Sequence, residues 1–126
     1  MKKVLLYIWQ LPQNILGLIA VALFRCNYAP RLGVFYTEAK IGVSLGNYII
    51  VNEFASIATV KHEQGHSKQS LMLGPLYLFV IGVPSAVCNI IDRCCHKNWT
   101  QTMRERWYYS LPWESDADKL ADVKRW

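Results

Sequence analysis

The sequence predicts a mainly α-helical fold, that of a small helical membrane protein with a short β-hairpin before a helix that carries two histidines. Three observations predict this class. The chain has 126 residues, enough for one domain at most. Hydrophobic residues make up 52% of it and aromatic residues 13%, which is unusually apolar for a small soluble protein. Two uncharged apolar stretches account for this content, and Trp and Tyr cluster at their flanks as they do at membrane interfaces.

Charge and cysteine content indicate which binding partners and which cellular compartment to expect. A net charge of +5 suits contact with the anionic head groups of membrane lipid. Lys and Arg form no dense run, so no nucleic-acid partner is expected. The cysteines lack the spacing of a disulfide framework and favour a reducing compartment. They are Cys26, Cys88, Cys94 and Cys95.

Residues 4–24 predict a kinked membrane helix. At about 1.5 Å per residue the stretch is long enough to cross the roughly 30 Å hydrocarbon layer. Pro12 should bend it, and the polar side chains of Gln10, Gln13 and Asn14 must face other protein rather than lipid. The alternative is a cleaved signal peptide, with small residues at 20–22 near its cleavage site.

Residues 33–52 predict a β-hairpin or a pair of short strands. The two β-prone runs are Val34-Phe35-Tyr36 and Tyr48-Ile49-Ile50-Val51, with glycines between them. An edge strand at this place could hold an extended substrate backbone, or it could only shield the following helix from water.

Residues 53–70 predict a metal-binding helix, because they contain the motif H-E-x-x-H at His62, Glu63 and His66. Side chains four residues apart lie on one helix face, so both imidazoles can bind one ion. Zinc, one ion per chain, is the expected cofactor. Glu63 would act as the general base that takes a proton from metal-bound water. The alternative is a solvated helix turn that carries two histidines by chance.

Residues 71–91 are again uncharged, and two prolines with neighbouring glycines predict a broken or re-entrant membrane segment. The remaining residues, 92–126, hold charged and aromatic residues and predict interfacial helices.

A third metal ligand is expected in residues 92–126. Gln69 and Met72 replace the Gly and His of the metzincin motif, which excludes that class. Glu114 and Asp118 share a helix face, so Glu114 could bind the ion while Asp118 accepts the second N–H of a ligand histidine. Which of these two acids is the ligand stays open, and a solvated helix face is the alternative. The candidate donors to a developing oxyanion are His96, Arg106, Tyr108 and Tyr109.

Two short blocks resemble those of a known family. They comprise His62, Glu63, Gly65 and His66, followed by Glu114, Ala117, Asp118 and Ala121. This H-E-x-G-H and E-x-x-A-D pattern resembles the gluzincin membrane peptidases of the CAAX prenyl protease and HtpX heat-shock peptidase group. The resemblance implies zinc ligands at His62, His66 and Glu114, a general base at Glu63, and an active site near the inner face of the membrane. Residues 62–85 also look like very small uncharacterised bacterial membrane proteins, which implies the cytoplasmic face of a bacterial inner membrane.

This ligand set creates a topological conflict. If residues 71–91 simply crossed the membrane, His66 and Glu114 would lie on opposite sides. We therefore expect the segment to turn back at Gly82-Val83-Pro84-Ser85.

The function expected from the sequence is that of a zinc-dependent membrane metallopeptidase. Its substrates would be peptides or membrane-protein segments, and so small an enzyme could need a homodimer to complete its cleft. Two alternatives remain open. One is a non-enzymatic membrane interaction protein with a structural metal or none, and the other is a zinc hydrolase of non-peptide amides.

Overall fold

The structure is a computed structural model that describes residues 2–125. These residues form six α-helices and a four-stranded sheet, which confirms the mainly α-helical prediction. The helices are α1 (Lys2–Trp9), α2 (Leu11–Leu23), α3 (Ile57–Leu73), α4 (Val83–Cys95), α5 (Gln101–Tyr109) and α6 (Pro112–Leu120). The strands are β1 (Asn27–Ala29), β2 (Val34–Thr37), β3 (Gly42–Leu45) and β4 (Tyr48–Asn52).

The first apolar stretch is sharply bent. Helices α1 and α2 meet at 86° on either side of Gln10. Pro12 lies in the first turn of α2, where its missing N–H has no helical partner to lose. The kink predicted for residues 4–24 is therefore present. Helix α2 alone is about 20 Å long, which is shorter than the hydrocarbon layer, so the stretch is not one straight spanning helix.

The polar residues at this bend face protein, as the sequence predicts. Gln10, Gln13 and Asn14 are all 0% exposed. Ser70 of α3 donates a hydrogen bond of 2.6 Å to Gln10. The Gln13 amide donates one of 2.8 Å to the carbonyl of Gly74, the residue that follows α3. Asn14 accepts the backbone N–H of the β3–β4 turn at 2.7 Å. These bonds fix the N-terminal helices against α3 and the sheet.

The sheet has the strand order β1-β2-β4-β3. The two β-prone runs become the neighbours β2 and β4, but they are parallel and so are not the arms of one hairpin. The hairpin partner of β4 is instead β3, joined to it by the Gly46-Asn47 turn. Strand β3 has few of the residues typical of strands, which is why the sequence pattern did not reveal it. It lies at the edge of the sheet.

The chain reverses at Gly74 and not at Gly82-Val83-Pro84-Ser85, so that prediction is wrong. Gly82 and Val83 have helical backbone angles within a helix that runs without reversal from Leu78 to Cys95. Gly74 has φ +57°, and the Trp9 ring lies 2.2 Å from where a Cβ would be. Only glycine fits both conditions, and it ends α3 there.

This early reversal removes the topological conflict. After Leu78–Cys95, helix α5 returns along α4, and the hydroxyls of Ser85 and Tyr108 lie 3.1 Å apart. Residues of α3, α4 and α6 therefore meet at one place, although the helix Leu78–Cys95 separates α3 from α6 in the chain. By length and composition, Leu78–Cys95 is the one unbent helix within residues 2–125 that could span a membrane.

Helices α3 and α6 approach closely at Gly65. A Cβ added to Gly65 would lie 2.0 Å from the Ala117 carbonyl oxygen, and Ala117 is 0% exposed. This contact brings the face of α3 that carries the histidines against the face of α6 that carries Glu114 and Asp118.

The substitution Gly65→Ala should therefore destabilise the protein, because one methyl group would force α3 and α6 apart. We expect a loss of about 1–3 kcal/mol in the free energy of unfolding, measured by denaturation in detergent. The matched control is Gly82→Ala, also in a helix, where the new Cβ would meet its nearest neighbour at 3.5 Å. Equal stability of the two variants would contradict the close contact.

Candidate metal centre

Three ligand atoms converge at the α3–α6 contact. The Nε2 atoms of His62 and His66 lie 2.7 Å and 2.9 Å from Oε2 of Glu114. One ligand atom from each residue lies within 4.8 Å of the others, and all three side chains are buried. The structure thus brings together the two motif histidines and the downstream acid that the sequence proposed as ligands.

The second nitrogen of each imidazole has its own partner. His62 Nδ1 donates to Asp118 at 2.7 Å, and His66 Nδ1 donates to the Gln69 side-chain oxygen at 2.7 Å. Gln69 is oriented by its amide, which donates to the Trp113 carbonyl at 2.9 Å. A ring that donates its Nδ1 proton in this way has its Nε2 lone pair available for a metal ion.

Three hydrogen-bond acceptors directed at one another need a cation or a proton between them. Without a metal ion the proton is held on His66. Burial opposes its protonation, but the hydrogen bond to Glu114 and the charge of Glu63 outweigh burial and raise the pKa of His66 to about 9. Burial likewise opposes ionisation of Glu114, yet its hydrogen bonds with His62 and His66 hold its pKa far below the usual range. Two imidazoles and one carboxylate are the donor set of many catalytic zinc sites, so the residues fit this ion.

Asp118, the other acid on this face, orients His62 rather than joining the three ligand atoms. Its carboxylate also pairs with Arg125, which contacts both oxygens at 2.7 Å and 3.1 Å. The same guanidinium lies 3.4 Å from the centre of the Tyr109 ring. Tyr109 in turn packs edge-on against His62, with ring centres 4.9 Å apart. The outer side of the site is therefore enclosed by contacts from α5 and the segment after α6.

Glu63 lies between two cavities, of about 580 Å³ and about 460 Å³, both of which it lines. Its carboxyl group faces β3, because a Cβ on Gly42 would lie 3.3 Å from Glu63 Oε1. Burial raises the pKa of Glu63, and the nearby His66 and His62 partly offset this effect. A buried carboxyl group with a raised pKa beside an open space is suited to proton transfer.

The free edge of β3 lines the larger cavity. Leu45 and Tyr48 flank a two-residue turn and form a hydrogen-bonded pair, so the alternation along the hairpin directs the backbone groups of Gly42 and Ser44 outward. Tyr77 already donates a hydrogen bond of 2.9 Å to the Ser44 carbonyl. Ser44 also has a buried hydroxyl oxygen for which the described residues provide no hydrogen-bond partner.

The predicted oxyanion donors separate into two groups. Tyr108 lines both cavities and Tyr109 lines the smaller one. Burial raises the pKa of both hydroxyls, that of Tyr109 to about 12, so each keeps its proton at neutral pH. His96 lies elsewhere, stacked on Trp99 with ring centres 3.7 Å apart. Arg106 does not line either cavity. The structure therefore brings Tyr108 and Tyr109, but not His96 or Arg106, to the cavities beside Glu63.

Some residues of the site were missed by the sequence analysis. Gln69 follows His66 by three residues and shares its helix face, so helical spacing could have revealed it. Ser85, which donates to Glu114, and Asn89, which lines both cavities, lie on α4. Arg125 lies beyond α6. No local pattern connects these three residues with the motif.

No known protein family, curated protein or solved structure matches this chain. The function must therefore be argued from the geometry of the site itself.

Proposed function

We propose that this protein is a zinc-dependent membrane metallopeptidase with one zinc ion per chain, held by His62, His66 and Glu114. The observation that carries the proposal is the convergence of two Nε2 atoms and one carboxylate oxygen, with both Nδ1 atoms occupied by acceptors. When bound, zinc would supply Lewis acidity toward a peptide carbonyl and make a water molecule more acidic. Proton transfer and hydrogen bonding to the substrate would be carried out by side chains of the protein.

Glu63 is the proposed general base. It follows the ligand His62 directly and lies where the two cavities meet, so a water molecule and a peptide bond can both reach its carboxyl group. The carboxylate takes a proton from the attacking water and later delivers it to the leaving amine. Tyr109 is the proposed hydrogen-bond donor to the carbonyl oxygen, because the Tyr108 hydroxyl already lies 3.1 Å from the Ser85 oxygen.

The proposed substrate is an extended peptide segment. The outward backbone groups of Gly42 and the outward N–H of Ser44 can pair with it as an additional strand, which would lead its backbone past Glu63. Apolar side chains favour an apolar segment. Phe24, Val83 and Ile90 line the larger cavity and are 41%, 55% and 61% exposed, so they lie at its mouth.

The proposed location is the membrane, at the cytoplasmic face of a bacterial inner membrane. Helices α1 and α2 and the helix Leu78–Cys95 expose apolar side chains of the kind that face lipid. Those at least 50% exposed are Val4, Leu5, Ile8, Ile15, Leu18, Ile19, Leu23, Phe79, Val83 and Ile90. Val83 and Ile90 lie both on these elements and at the mouth of the cleft, and Phe24 directly follows α2, so a substrate can enter from the lipid side.

The apolar lining also favours one second candidate, hydrolysis of a lipid amide. Leu78, Val83 and Ile90 could contact an acyl chain as well as apolar peptide side chains. Parallel cleavage assays with fluorogenic apolar peptides and with N-acyl amino acids distinguish the two substrate classes.

Zinc content tests the ligand set. Detergent-purified wild type should contain about one zinc per chain. Glu114→Ala should lower the zinc affinity by more than the 10–100-fold loss typical of removing a residue that only orients a ligand. Glu63→Ala should keep the metal, because Glu63 is not a ligand. The zinc content is measured by elemental analysis after dialysis against increasing concentrations of a chelator. The control Glu105→Ala removes an exposed acid of α5. Wild type without zinc would contradict the proposal.

Hydrolysis tests the role of Glu63. Glu63→Gln keeps the shape of the side chain but cannot take the proton, so kcat should fall by about 10²–10⁴-fold while zinc content stays at the wild-type value. The assay follows cleavage of fluorogenic peptides with apolar residues around the scissile bond, in detergent. Glu53→Gln changes an exposed acid and serves as the control. An unchanged kcat in Glu63→Gln would exclude this mechanism.

A charge on the outer face of α4 tests membrane contact. Val87 lies near the middle of Leu78–Cys95 and is 48% exposed, so Val87→Lys should cost roughly 2.5–3.5 kcal/mol in a bilayer. We expect less protein to float with vesicles in a density gradient. The matched control is Met103→Lys on α5, where the replaced side chain is 49% exposed. Equal flotation of both variants would be evidence against a lipid-facing α4.

A further inference from the structure

The two oxygens of Glu114 have different partners. Oε2 faces the two histidines, whereas Oε1 accepts a hydrogen bond of 2.5 Å from the Ser85 hydroxyl. An ionised carboxylate can only accept, so Ser85 must be the donor. The Ser85 proton is therefore directed at the ligand, and the serine oxygen is left as an acceptor.

A second hydroxyl uses that acceptor. The Tyr108 oxygen lies 3.1 Å from the Ser85 oxygen, and with the serine proton already directed at Glu114, Tyr108 donates. The result is a directed chain, Tyr108 to Ser85 to Glu114, which we call the Ser85 chain. Asn89, one helical turn after Ser85, lies beside its outer end and acts to lower the pKa of Tyr108.

The Ser85 chain joins the cleft to the ligand. Asn89 and Tyr108 line both cavities beside Glu63, while Glu114 is 0% exposed. Its members come from three helices, α4, α5 and α6. A hydrogen bond that served only to join helices could end on any polar group. This one ends on the carboxylate oxygen that would otherwise be free to turn toward the ion.

We propose that Ser85 is a positioning residue that makes Glu114 bind the metal through one oxygen only. This inference rests on the zinc site proposed above. A carboxylate with both oxygens free can bind zinc through two atoms and occupy a further coordination position. With Oε1 held by Ser85, Glu114 contributes Oε2 alone and a position stays open for water or substrate. Tyr108 holds the serine hydroxyl in the orientation that this requires.

Cobalt replaces zinc in the test, because its visible absorption reports the coordination number directly and needs no substrate. The detergent-purified apoprotein is titrated with Co²⁺ and followed by absorption and by competition with a chelator. Wild type should show the intense bands of a four-coordinate ion. Ser85→Ala should bind about 10–100-fold more weakly and show the weaker bands of a five-coordinate ion, as both Glu114 oxygens turn to the metal.

Three further variants separate the hydroxyl from the packing. Ser85→Thr keeps the donor and should restore the affinity and the spectrum of wild type. Tyr108→Phe keeps the ring but removes the hydrogen bond to Ser85, and should shift both readouts in the direction of Ser85→Ala by a smaller amount. If Ser85→Ala fails to fold, as judged by circular dichroism, Tyr108→Phe carries the test. Ser110→Ala is the matched control, since that hydroxyl bonds only the Trp107 carbonyl in the structure, at 2.8 Å.

Two results would overturn the inference while leaving the zinc site intact. One is a wild-type affinity and spectrum in both Ser85→Ala and Tyr108→Phe. The other is an equal loss in Ser85→Ala and Ser85→Thr, which would assign the effect to packing. Wild type that binds neither cobalt nor zinc would overturn the proposed metal site, and the role of Ser85 with it.

Discussion

The structure depends on one buried carboxylate, that of Glu114. Removing a charged group from water costs several kcal/mol unless hydrogen bonds and opposite charge compensate it. Here Ser85 of α4 compensates one oxygen, and His62 and His66 of α3 compensate the other. Because Glu114 itself belongs to α6, satisfying this single group fixes three helices relative to one another. The packing of these helices and the geometry of the candidate metal site therefore depend on the same hydrogen bonds to Glu114.

That constraint works only because α3 and α6 can approach closely. Gly65 and the Ala117 backbone provide the contact, and a side chain at position 65 would move the ligand atoms apart. The arrangement continues outward from the ligands. Asp118 orients His62, and Arg125 offsets the negative charge that this adds to the interior. In a metal site of this kind, the residues that hydrogen-bond the ligand side chains fix the ligand atoms in position to within fractions of an ångström.

The rest of the fold sets the direction from which the site is reached. The bend at Gln10 buries the polar side chains of the N-terminal stretch and leaves apolar ones outside. Helix α2 and the helix Leu78–Cys95 both contribute to the larger cavity, and their outward faces are apolar. The edge strand β3 forms another side of the same cavity. The candidate metal site is thus enclosed by protein, while the mouth of the larger cavity beside it lies among apolar side chains.

By itself the sequence determined the elements whose signals are local. The four-residue spacing of His62 and His66, and of Glu114 and Asp118, places each pair on one helix face whatever surrounds it. A proline among polar residues likewise determined a kink at the first stretch. Only the tertiary structure decided the parallel pairing of β2 with β4, the reversal at Gly74, and the approach of Ser85 to Glu114. Each of these depends on contacts between residues far apart in the chain. Local periodicity carries no information about such contacts, because they are chosen by packing and by the need to pair buried polar groups.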